Sequence, residues 1–129
     1  MTRTYTYDYS TQYSPSAPVV DIYIYNKANP ENIQPISLLV DSGADATILP
    51  IHLLEKIDAP VISMATLRSI DGSRFSTFIY RVSLRIGDHT INRVNVASAE
   101  ESDRIVLGRD VLNYLVLTLD GPAGATILV

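Results

Sequence analysis

The residues best suited to chemistry lie at 38–44, where Leu38-Leu39-Val40 runs straight into Asp41, Ser42, Gly43 and Ala44. A run of Leu and Val belongs in a buried β-strand. Asp41 therefore ends a segment in which an uncompensated carboxylate is costly. Gly43 permits a tight turn that brings a backbone N–H to that carboxylate. Ser42 adds a short hydroxyl able to bond nearby backbone. An acid held in this way fits general acid–base catalysis, and a strand-ending turn is the plain alternative for the triplet taken alone. Much later a second apolar run, Ile105-Val106-Leu107, ends in Gly108-Arg109-Asp110.

Other chemistries lack their residues. The chain has no cysteine, so it has no disulfide, thiol nucleophile or thiolate zinc site. His52 and His89 stand apart from each other and from any acid at metal-ligand spacing, and read as solvated surface groups. Neither a Gly-x-Ser-x-Gly elbow nor a phosphate-cradling glycine loop occurs. No metal and no cofactor is expected. The net charge of −4 and the scattering of Arg68, Arg74, Arg81, Arg85 and Arg93 argue against a nucleic-acid partner. Tyr5, Tyr7, Tyr9 and Tyr13 could stack on bases, but the acidic balance opposes that use. No basic-then-apolar leader opens the chain, and no apolar run nears the roughly 20 residues that span a bilayer. No membrane partner is expected, and a cytoplasmic protein is the default.

The elements that must position Asp41 follow from turn signals and alternation. At 129 residues the chain fits one domain with a real core. Residues 1–17 form a Tyr-rich arm, which reads either as a frayed terminus or as an added edge strand. Val19 to Tyr25 reads as a strand, Asn26 to Pro30 as a turn, and Ile36 to Val40 as the strand that delivers Asp41. Thr47 to Leu49 is extended, and Pro50 opens a short helix to Ile57. Asp71-Gly72-Ser73 is a hairpin signal between Met64–Ile70 and Phe75–Leu84. Gly87-Asp88 turns into Ile91–Val96, and Ser98 to Asp103 reads as a loop. Gly108 to Tyr114 reads as a short helix, Leu115 to Leu119 as a strand and Thr126 to Val129 as the terminal strand. Many short strands with frequent turns predict an all-β, barrel-like domain.

The order and content of the two motifs, Leu39-Val40-Asp41-Ser42-Gly43-Ala44 and Val106-Leu107-Gly108-Arg109-Asp110, resemble the retropepsin-like aspartic proteases, from about Pro18 to Val129. The resemblance implies a closed barrel-like domain at 18–129, with a flap hairpin and one short C-terminal helix, completed as a homodimer. It implies Asp41, Ser42 and Gly43 as the catalytic loop, and Asp45, Gly108 and Arg109 as structural support, with Asp45 paired to Arg109. It places Leu39, Ala44, Ala46, Ile48 and Val106 in the substrate pocket, beneath a flap tip at Ile70, Asp71 and Gly72. The family's flap tip is usually richer in glycine than this one, so an ordinary surface hairpin stays open. Terminal strands interleaved across a two-fold axis are also implied.

Hydrolysis of a peptide bond by carboxylates needs two of them, one as base and one as acid. Asp71-Gly72 and Asp120-Gly121 lack the intervening hydroxyl residue, so Asp41 is the single candidate and its twin must come from a second copy. The expected function is a homodimeric aspartic endopeptidase acting on a peptide or protein substrate. Two alternatives remain at this level: a catalytically silent binding or dimerisation module of the same fold, and a plain β-barrel with an incidental turn.

Overall fold

A computed structural model of the chain describes residues 3–68, 71–100 and 105–129. Alternation along β2 (Val19–Asn26) buries Val20, Ile22 and Ile24 and leaves Asp21 and Tyr23 outside, the period-2 pattern of a strand with one dry face. β2 runs antiparallel to β3 (Asn29–Val40), with Val19 opposite Leu39. β3 is parallel to β8 (Val106–Leu107), and β8 is antiparallel to β4 (Ile48–Pro50). β4 is parallel to β7 (His89–Ala99), which is antiparallel to β6 (Arg74–Ile86). β6 then returns to β2 through Tyr23–Arg85, Ile24–Leu84 and Tyr25–Ser83, closing the ring. The all-β, barrel-like architecture read from the turn spacing is the one observed.

The thirteen residues of β6 serve two neighbours on one edge. Their second half meets β2, and their first half pairs with β5 (Val61–Arg68) in a hairpin that leaves the barrel. Two short helices complete the wall: α1 (Ile51–Lys56) follows β4 directly, and α2 (Arg109–Leu112) follows β8. The core is apolar and continuous, with Ile22, Ile24, Leu38, Leu49, Leu54, Leu84, Ile86 and Leu107 among its buried side chains. Each such side chain contributes about 1.5–3 kcal/mol of burial.

A separate three-stranded sheet joins the two ends of the chain in the order β1 (Tyr5–Asp8), β10 (Ala125–Leu128), β9 (Leu117–Asp120). Tyr5 lies opposite Leu128, and Leu128 lies opposite Leu117. Gly87 makes room for this sheet: its φ is +55°, and a Cβ there would stand 2.8 Å from the Tyr5 ring. The Tyr5 hydroxyl reaches past it to donate to Asp88 at 2.7 Å.

Several expectations need correction. The terminal strand does not offer its edges for interleaving, because β1 and β9 already occupy both and Thr126 and Leu128 are buried. Two-sided pairing within the chain satisfies the apolar strand at its own barrel. β3 begins at Asn29 rather than Ile36, and accommodates Pro30 and Pro35. β8 reaches only Leu39 and Val40, so the rest of β3 is an edge among the described residues, where proline is tolerated. Ser98 and Ala99 close β7 instead of opening a loop; residues 101–103 of that loop lie outside the described residues. His52 is exposed, but His89 is half-buried, with Nε2 2.9 Å from the Val129 carbonyl oxygen. Among the described residues no helix is long and apolar enough to cross a membrane.

Candidate active site

Asp41 stands at the end of β3, where the ladder to β8 stops. Its backbone N–H donates to the Leu107 carbonyl at 3.1 Å, the last rung of that pairing. The chain then turns back on itself, Ala44 N–H donating to the Asp41 carbonyl at 3.2 Å. The turn carries Gly43 N–H to the Asp41 carboxylate, 3.0 Å from Oδ1. One carboxylate oxygen is thus held by backbone while Asp41 itself remains half-buried at the protein surface. Ser42 is exposed, and its hydroxyl has no partner within the chain among the described residues.

The segment Leu107–Asp110 grips this loop from below. Arg109 N–H donates to the Ala44 carbonyl at 2.9 Å, and the Arg109 guanidinium donates to the Ser42 carbonyl at 2.7 Å. Its other terminal nitrogen pairs with Asp45. The Asp45 side chain is 90 % exposed, so this pair orients the guanidinium more than it stabilises the fold. Gly108 passes so close beneath the loop that a Cβ would lie 2.6 Å from the Ala46 carbonyl carbon and 3.0 Å from the Ala44 carbonyl oxygen. Glycine is required there by space, since backbone cannot swing away as a side chain can.

Two residues of this grip carry no role in the sequence reading. Thr47 is fully buried, and its hydroxyl donates to Asp110 Oδ1 at 2.7 Å while accepting from Gly108 N–H at 3.0 Å. Thr47 N–H also faces both Asp110 oxygens at 3.1 Å. The Asp110 carboxylate therefore ties α2 to the strand leaving the catalytic loop. An acid directly after Gly-Arg, at the start of a helix, was the available signal. Its partner sixty-three positions away was not visible in one dimension.

The pocket candidates fall into a register row. Leu39 is opposite Val106, Val106 opposite Ile48, Ile48 opposite Ala97, and Ala97 opposite Ile79. Their neighbours Leu38, Leu107 and Leu49 point the other way into the core and are fully buried. Leu39, Val106 and Ile48 are half-buried on the opposite face, beside the end of the strand that carries Asp41. Ala97 and Ile79 extend this apolar strip to the base of the β5–β6 hairpin and were not among the sequence candidates. Ala44 and Ala46 lie in the loop itself, both half-buried. At the hairpin tip Gly72 has φ +86°, and Asp71 accepts from Ser73 N–H at 2.9 Å and from its hydroxyl at 2.7 Å. Ile70 lies outside the described residues.

The aspartyl protease family profile matches residues 26–111, which include both motifs and all of the barrel from β3 to β8. Solved structures carry the same fold. EIAV protease complexed with the inhibitor HBY-793 has a TM-score of 0.61 at 21 % identity, covering 76 % of this chain and 86 % of that one. A retropepsin-like aspartic protease from Rickettsia conorii has a TM-score of 0.60 at 15 % identity, covering 98 % of this chain and 90 % of that one. Simian Foamy Virus (mac) protease has a TM-score of 0.53 at 20 % identity, covering 74 % and 92 %. No curated protein matches the chain. The fold and the paired motifs define a single-domain acid protease. The chain belongs to the aspartyl protease family, on its retropepsin-like side.

Proposed function

We propose that the protein is a homodimeric aspartic endopeptidase in which Asp41 of each copy supplies one carboxylate of the catalytic pair. The observation that carries this reading is the Asp41-Ser42-Gly43 loop, clamped by Leu107–Asp110 in a fold that holds one such loop per chain. Two carboxylates brought together share one proton, since both cannot ionise easily at close range. The ionised one takes a proton from a water molecule, whose oxygen forms the new bond to the scissile carbonyl carbon. The protonated one gives its proton to the carbonyl oxygen, producing a neutral tetrahedral diol. Collapse re-forms the carbonyl, breaks the C–N bond and delivers a proton to the departing amine, which restores one proton on the pair.

Ser42 supports the pairing role, because its exposed hydroxyl is free to bond backbone of the second copy. Asp45, Gly108 and Arg109 act as supports of the loop. The half-buried strip Leu39, Val106 and Ile48, with Ala44 and Ala46, fits apolar side chains of an extended peptide. The β5–β6 hairpin closes over that peptide, adding backbone bonds as an extra strand does. Incubation with a diverse peptide pool, with and without a statine-type mimic of the diol, tests the reading. Cleavage that the mimic blocks supports it. A folded dimer that cleaves no peptide and binds no mimic would favour a silent module of the same fold.

A further inference from the structure

β10 is the middle strand of its sheet, so neither of its edges is left for a partner's terminal strand. β1 is anchored on its far side, where the Tyr5 hydroxyl reaches Asp88 and the ring covers Gly87. β9 has no strand on its far side among the described residues. Val129 N–H donates to the Val116 carbonyl at 3.3 Å, which sets the phase of the β9–β10 ladder. In an alternating antiparallel ladder, Val116, Thr118 and Asp120 then bond β10, whereas the N–H and C=O of Leu117 and Leu119 point to the open edge.

That edge is apolar and neutral. Tyr114, Val116 and Leu119 are 69 %, 67 % and 52 % exposed, and residues 113–119 carry no charge. Domains that stay solitary block such an edge with lysine, proline or a bulge, and none stands in this stretch. We propose that a second copy docks here, β9 against β9 about a two-fold axis, merging two three-stranded sheets into one of six strands. The proposal rests on the reading that Asp41 needs a twin, and it replaces interleaved termini as the way the twin is brought in. The partner it fits is a second copy of this chain, because an isologous antiparallel pairing satisfies the outward groups of Leu117 and Leu119 on both copies at once. Only residues 111–116 separate the Gly108–Asp110 clamp from β9, so the dimer contact is continuous with the segment that holds the Asp41 loop.

Leu119→Lys puts a charge on this edge without touching the β9–β10 ladder, and Leu119→Pro removes an outward donor with the same neutrality toward β10. Each is expected to sediment as a monomer where the wild type sediments as a dimer, with an unchanged circular dichroism spectrum and no peptide cleavage. Because the chain has no cysteine, single cysteines at Thr118 or Leu119 give a second readout that does not depend on those variants folding. A short bis-maleimide should link two copies through these positions and not through Thr6→Cys on β1. A dimeric Leu119→Lys protein, or linking through Thr6→Cys in place of β9, overturns the proposal and leaves the paired-carboxylate reading intact if the wild type still cleaves. A wild type that cleaves nothing while Leu119→Lys breaks its dimer overturns that reading and keeps the surface. A wild type that is monomeric at every concentration overturns both.

Discussion

Replacing Thr47 by valine tests the clamp under the catalytic loop with almost no change of shape. The hydroxyl that disappears donates to Asp110 and accepts from Gly108 N–H, and both bonds are buried. Losing a hydrogen bond to a charged group costs about 1.5–3 kcal/mol, and leaving a buried N–H without an acceptor costs about 1–3 kcal/mol. The valine methyl returns about 0.8 kcal/mol of apolar burial, and Thr47 N–H still holds the Asp110 carboxylate. The net destabilisation is therefore about 2–4 kcal/mol. For a domain of this size that lowers the melting temperature by roughly 6–20 °C. Thermal unfolding followed by circular dichroism reads it, with Asp45→Asn as the comparison. The Asp45–Arg109 pair is exposed and worth about 0–1 kcal/mol, so its loss should shift the melt by no more than about 5 °C. A Thr47→Val protein melting within about 2 °C of the wild type, or above Asp45→Asn, would refute the assignment of the grip to Thr47 and Asp110.

Asp41→Asn should abolish peptide cleavage while sedimentation still gives a dimer, and a pure sample that cleaves would sink the carboxylate mechanism. The rate should follow a bell-shaped pH profile with its maximum on the acid side of neutral, since one shared proton is required; a monotonic rise from acid to alkali contradicts it. Gly108→Ala drives a Cβ into loop backbone, so we expect a lower melting temperature and a loss of kcat larger than any rise in KM. Burial, and secondarily the nearby Asp21 charge, raises the Tyr7 phenol above its ordinary value of 10.0. A raised folded value means the contribution is fully present below the unfolded value and lost as pH climbs through the folded one. Stability should thus fall above about pH 10, and less so in Tyr7→Phe.

What the sequence revealed depended on how local the information was. Asp41-Ser42-Gly43 could be read because the turn, the carboxylate and the donating N–H lie within three residues. The alternation of β2 and the Gly87 turn were legible for the same reason. The two-motif pairing was reachable only by likeness to a family, since Arg109 meets Ser42 and Asp45 across more than sixty positions. Thr47 and Asp110 escaped because a threonine and an aspartate carry no distinctive local pattern. Ala97 and Ile79 escaped because membership in the pocket strip is a matter of cross-strand register, which only the closed barrel defines. The terminal strand was misassigned for a physical reason as well. An apolar Thr126-Ile127-Leu128 demands two covered edges, and one dimension does not say whether a partner or the chain's own first strand covers them.

That first strand has a consequence in time. Tyr5 finds Leu128 only after nearly the whole chain has been drawn together, whereas β2–β3, β5–β6 and β6–β7 are hairpins between neighbours. Closing so long a loop is entropically late work, so we expect pulse-labelled amide protection to appear in the barrel before it appears in Tyr5–Asp8 and Ala125–Leu128. The sheet that carries β9 is then finished after the Asp41 loop is already seated. Two copies meeting through β9 would do so as completed barrels, and cutting activity would be withheld during the interval when the chain's own unfolded segments are easiest to cut.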